Sequence, residues 1–211
     1  MDVNLDALLQ GAALWRARGS QRASIAVVPS GWPRLDASLP GGGWPLGTLV
    51  ELLLPAAGVG ELRLLLPALR TLLEPSVTDP GRRWLAWIAP PHLPYPPAFA
   101  QSGIRCEQLL LVASERPAER LWACEQALRS GSCAAVLTWL DSVDDRWLRR
   151  LKLAAEAGAT LAVLVRPLAR REETSAASLR IALEPTAAGL DLWLLKSRGR
   201  GPTRIRAALT V

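Results

Sequence analysis

Apolar positions along the chain come in two rhythms. Residues 48–54, 84–89, 109–112, 134–140 and 160–165 are short, nearly continuous apolar runs, the pattern of strands covered on both faces. Between them, residues 61–73, 118–130 and 144–157 repeat apolar side chains every three to four positions, which predicts helices with one buried face. Continuous apolar strands that alternate with helices predict a parallel sheet. The last third differs: residues 179–183, 190–195 and 203–209 follow one another across short turns, as antiparallel neighbours do. The expected class is therefore α/β, a mostly parallel sheet flanked by helices, with an antiparallel C-terminal edge.

The N-terminal residues have their own pattern. Leu5, Leu8, Leu9, Ala12 and Trp15 fall near helical spacing and predict a short amphipathic helix that ends around Gly19. A stretch rich in Pro and Gly, residues 29–47, follows and marks turns. The expected organisation is an N-terminal helix or extension over residues 1–28 and a core over residues 29–211. An exposed apolar stripe is a liability, so it is expected to dock on the body or on a partner.

Composition narrows the class. Half of the 211 residues are apolar and 21% are charged, which fits a globular chain and excludes a largely disordered one. No apolar run approaches the ~18 residues of a membrane span. The start, Met1 to Asp6, has two acids and no basic region, unlike a secretory signal. Cys106, Cys124 and Cys133 are odd in number and form no close pair. A cytoplasmic location without membrane contact is expected. The net charge of +6 comes mainly from Lys196, Arg198, Arg200, Arg204 and Arg206, which have no acid among them; the rest is almost neutral. That describes a neutral body with one basic end, not a uniformly basic nucleic-acid binder.

The sharpest candidate is the turn at residues 55–60. It lies between a strand and a helix, where phosphate-binding loops sit. Pro55, Gly58 and Gly60 keep the backbone of such a loop, but Glu61 stands at the Lys position and Leu62 at the Ser/Thr position. A Lys at 4 Å from a phosphate contributes roughly 4 kcal/mol at an effective dielectric of 20, and Glu reverses the sign, a swing of about 8 kcal/mol. The expectation is a degenerate phosphate loop, with no nucleotide, no cofactor and no ATPase activity, in a chain that is not an enzyme.

Around this loop, residues 29–52 run Ser30-Gly31, then Leu35-Asp36-Ala37-Ser38-Leu39, then Gly41-Gly42-Gly43-Trp44-Pro45-Leu46-Gly47, then a strand that contains Glu51. Order and spacing resemble the entry to the core of RecA-type proteins, so the resemblance implies a RecA-like core. The matching ATPases carry a water-activating Glu where Ala89-Pro90-Pro91-His92 stands here, and a metal-binding Asp at a strand end that here comes only at Asp141. With Gly60 to Pro67 and the basic stretch Leu195 to Pro202, the chain resembles the ImuA family. That resemblance implies a non-catalytic adaptor in SOS-induced translesion DNA synthesis. Its partners would be RecA and the polymerase homologue ImuB, and through ImuB an error-prone polymerase, with DNA touched at most indirectly. The alternative is a SulA-type inhibitor that binds the tubulin-like division protein; the extension at residues 1–28 and the basic C-terminal strands favour the adaptor.

The remaining candidates have ordinary readings beside functional ones. Lys196, Arg198, Arg200, Arg204 and Arg206 form either a solvated hairpin or a surface for a partner or for phosphates. His92 lies alone among prolines, and three Cys with one His give no zinc spacing, so no metal is expected. Residues 141–144 read as a turn and N-terminal cap. Trp32 and Trp44 flank turns and are candidates for exposed contacts.

Overall fold

In a computed structural model of the protein, residues 26–74, 84–199 and 201–209 are described. The N-terminal stripe of Leu5, Leu8, Leu9, Ala12 and Trp15 lies outside them. In chain order the elements are β1 (Val27–Val28), α1 (Pro33–Asp36), β2 (Trp44–Pro45), β3 (Thr48–Leu54), α2 (Glu61–Leu73), β4 (Trp84–Ile88), α3 (Pro96–Gln101) and β5 (Leu109–Val112). Then come α4 (Pro117–Arg129), β6 (Cys133–Trp139), α5 (Asp145–Gly158), β7 (Leu161–Pro167), β8 (Leu179–Thr186), β9 (Gly189–Lys196) and β10 (Thr203–Leu209). β1 and β2 form a small antiparallel pair. The others make one eight-stranded sheet in the order β10-β9-β8-β3-β7-β6-β4-β5.

The sheet is mixed. β8, β3, β7, β6, β4 and β5 pair in parallel, and β9 and β10 return antiparallel beside β8. The expected RecA-like core, a mostly parallel sheet flanked by helices with an antiparallel edge, is corrected to a mixed sheet with few helices. β8 to β10 are not an appendage: they supply three of the eight strands. Of the described helices only α2, α4 and α5 exceed six residues.

Side-chain alternation splits the core in two. Val50, Leu52 and Leu54 of β3 face α2, in a cluster that continues through Ile181, Leu183, Leu192, Leu194 and Ile205. Leu49 of β3 faces the other way, with Val136, Ala162 and Leu164, onto α4 and α5. Those two helices pack over β3, β4, β6 and β7. Gly158, at the end of α5, allows the close approach: a Cβ there would lie 1.9 Å from the Leu128 carbonyl oxygen of α4. Burial also silences two thiols. It pushes the Cys124 thiol up to about 12, with the neighbouring Glu125 adding to the effect, and raises Cys133 as well.

Local details follow side-chain chemistry. Asp144 caps α5 by accepting a hydrogen bond from the Trp147 amide at 2.8 Å, as the turn at residues 141–144 predicted. α1 and α3 start on prolines, α1 inside the stretch read from sequence as turns; proline suits the first helical turn, where its missing N–H costs nothing. Trp44 is fully buried, and the Trp32 indole donates to the Leu64 carbonyl at 3.0 Å, so the two bind the turn region to the core instead of standing exposed.

Candidate protein interface

The loop between β3 and α2 is closed by its own side chain. Gly58 donates its amide to Glu61 Oε1 at 2.8 Å, and Gly60 donates to Oε2 at 3.1 Å. Glu61 is buried, and Gly60 enters the helix at φ 116°, a conformation glycine adopts without strain. A carboxylate thus sits where converging amides would otherwise hold a phosphate. Pro55 is exposed, and Leu62 is half-buried against the core.

The basic end does not form one patch. Lys196 ends β9 and donates to the Ser175 carbonyl at 2.8 Å; Arg198 stands exposed in the following turn, and Arg200 lies outside the described residues. Arg204 pairs with Asp191 at 2.8 Å and Glu184 at 3.1 Å, and stacks over the Trp193 ring at 4.6 Å. Those acids come from neighbouring strands, which a count along the chain could not reveal. Arg206 is exposed, with its carbonyl taken by Arg34 at 3.2 Å.

A buried charge cluster, not singled out from sequence, joins the two halves of the sheet. Glu51 is fully buried in β3. It accepts from Arg166 Nη1 of β7 at 2.8 Å and from Arg180 Nε of β8. Arg166 also reaches Glu173 at 2.7 Å, and Arg180 donates to the carbonyls of Arg170 at 3.0 Å and Arg171 at 3.2 Å. Hydrogen bonds from Arg170, then Arg166, hold the Glu173 carboxyl below its usual range. The cluster pins the segment after β7 beneath the strands. Its signal was available: a lone charge in each of the apolar runs of β3 and β7, and Arg180 within the apolar start of β8.

The opposite end of the sheet is apolar and open. β5 is an edge strand without a charged residue, and Leu110 and Leu111 are exposed on its two faces. Beside it, Trp84 of β4 is exposed, and the connection to α3 presents Leu93 at 80% and Tyr95 at 69% exposure between prolines. Large exposed apolar side chains on and beside an uncharged edge strand are what a protein partner buries. His92 is exposed in the same connection, and Cys106 shortly before β5. No cluster able to hold a metal ion occurs among the described residues, and no helix there is long and apolar enough to cross a membrane.

The geometry defines a class first: a mixed-sheet α/β protein with a self-closed loop after its third strand and an open apolar edge. The family model described as "Cell division inhibitor SulA" matches residues 52–162, more than half of the chain, so the chain belongs to that family. It is 35% identical over 103 residues to "Cell division inhibitor SulA" of Edwardsiella piscicida and 30% identical over 103 residues to that of Serratia marcescens. Each match covers 48% of this chain and 61% of the relative, so it spans about three fifths of those relatives' length. A solved structure, "Crystal structure of SulA from Pseudomonas aeruginosa", aligns with a TM-score of 0.45 at 29% identity, over 56% of this chain and 97% of that chain.

The family match and the two relatives overturn the ImuA resemblance and what it implied: an adaptor role in translesion synthesis, with RecA and ImuB as partners. Of the residues that carried it, Gly60 to Pro67 lie inside the matched segment and Leu195 to Pro202 beyond it, while residues 29–52, which resembled the RecA-type entry, end where it starts. Residues 29–52 spell turns and a buried Trp that hold the strand entry, a structural feature and not a partner-specific one. The open β4–β5 edge lies wholly inside the matched segment; all of β8 to β10, with the basic end, lies beyond it.

Proposed function

We propose that this chain is a division inhibitor that binds the tubulin-like division protein through the β4–β5 edge. The observation that carries this reading is the family match over residues 52–162, within which Trp84, Leu93, Tyr95, Leu110 and Leu111 are all exposed. Binding, not catalysis, is the activity. The Glu61 carboxylate satisfies the loop amides, so the β3–α2 turn serves as a rigid helix entry with no nucleotide to hold. Residues 29–211 act as the working unit and residues 1–28 as an extension to it. The basic end is secondary to the apolar edge, because Arg204 spends its charge on Asp191 and Glu184.

The test is assembly of the purified tubulin-like division protein, followed by sedimentation with and without this chain. The expected result is inhibition by the native chain, weakened about tenfold or more by Leu93→Ser with Tyr95→Ala, at unchanged melting temperature. An unaffected assembly would discard the function. Inhibition that survives the double change would discard the edge as the contact.

A further inference from the structure

A cavity of about 680 Å³ opens at the end of the sheet opposite the β3–α2 loop, where β3 and β8 begin and β9 ends. Its walls combine α5, the turn ahead of β3, the approach to β8 and the turn after β9. The chain has only two lysines among its 25 cationic side chains, and both, Lys152 and Lys196, line this cavity together with Arg198. Glu156 is the one carboxylate in the lining. Several cations elsewhere are matched: Arg166 and Arg180 by Glu51 and Arg204 by Asp191 on the sheet, and Arg150 of α5 by Glu125. Among the described residues no ion pair neutralises Lys152, Lys196 or Arg198.

Neutral groups complete the wall. Thr48 and Ser178 place their hydroxyls 2.6 Å apart. The Ser197 hydroxyl, on a residue 9% exposed, has no hydrogen-bond partner among the described residues. Pro40, Pro45, Leu46 and Leu179 supply apolar surface. The volume falls within the roughly 300–1,000 Å³ of small-molecule sites. Three unmatched cations against one carboxylate leave an excess positive charge that a dianion would neutralise, and hydroxyls are suited to its remaining oxygens.

We infer that this cavity binds a small organic dianion, a phosphate monoester or a dicarboxylate. The site stands apart from the β4–β5 edge and does not depend on the inhibitor reading. A nucleic-acid backbone carries the same kind of charge, but an indented pocket bordered by Glu156 suits a compact ligand better than an extended strand.

Calorimetric titration of the full chain with glycerol 3-phosphate, glucose 6-phosphate and malate, at constant ionic strength, tests it. The expected result is saturable binding of at least one of them, one ligand per chain, with Kd of ~1 mM or tighter. The phosphate-ester and malate arms tell which kind of dianion is preferred. Lys196→Gln and, separately, Lys152→Gln should each weaken binding about tenfold, the loss of one charge-assisted contact. Arg146→Gln, which removes an exposed cation outside the lining, should leave it unchanged. Two lysine variants on different elements keep the test valid if one fails to fold. Absence of saturable binding by all three probes overturns the proposal, as does equal loss in Arg146→Gln. Binding of a duplex oligonucleotide with none of the small anions overturns it too.

Discussion

β5 and β10 each end the same sheet, and each leaves a row of backbone groups without a strand partner. At β10 the exposure is managed. Arg204 and Arg206 stand on the strand, its register with β9 shifts between Ile205 and Leu209, and Arg34 reaches the Arg206 carbonyl from α1. Charges and irregular pairing are how edges avoid unwanted strand addition. At β5 none of these devices is present: Leu109 to Val112 are apolar, and their pairing with β4 is regular. One sheet therefore has a guarded edge and an open one. The open edge belongs to the segment shared with the division inhibitors; the guarded edge lies beyond it. An unguarded apolar edge in a folded chain is explained most simply by a partner that covers it.

The largest test of this contrast lies at the junction, where charge pins the antiparallel strands to the parallel ones. Glu51→Ala leaves Arg166 and Arg180 buried without their carboxylate and should lower unfolding free energy by ~3–5 kcal/mol, read by denaturant titration. The triple change Glu51→Leu, Arg166→Met, Arg180→Leu should recover most of that, since well-packed apolar groups remove the desolvation cost. A single change that costs less than ~1 kcal/mol would mean that packing alone holds the junction.

An intermediate effect separates the two edges. Arg204→Ala uncovers Asp191, which is 4% exposed, and should destabilise by ~1–3 kcal/mol. Leu111→Arg on β5 should stay within ~0.5 kcal/mol of the native protein, because the side chain is 40% exposed and a charge there meets water. If both changes cost the same, the edges do not differ as described.

The smallest effect depends on pH. The Glu173 carboxyl is lowered by Arg170 and Arg166, so its stabilisation is complete above the ordinary glutamate value of 4.5 and fades as pH falls through its lower folded value. Because this group is exposed, the native protein and Glu173→Gln should differ only slightly above 4.5 and converge in acid. A difference that grows toward acid would have the wrong sign.

Several features were legible residue by residue. Periodicity placed most long strands and helices to within about one or two residues, because the alternation of buried and exposed positions is a local property. Asp144 announced its cap. The open apolar edge was not legible. Leu109 to Val112 read the same whether a strand is central or at an edge, and Trp84 looks like any core tryptophan. The RecA-type resemblance that led to ImuA misled for a related reason: residues 29–52 encode turn geometry, which says how β3 is entered and nothing about which surface remains open.

By itself the sequence determined the alternation of apolar runs, the near-neutral body and the closure of the β3–α2 loop, since each depends on neighbours within a few positions. Only the tertiary structure decided that β8 lies beside β3, which makes the sheet mixed. It also set Glu51 between two arginines more than a hundred residues away, matched Arg204 to acids on other strands, and left β5 at an edge. Strand order is a matter of long-range pairing, and burial, charge matching and exposure all follow from it.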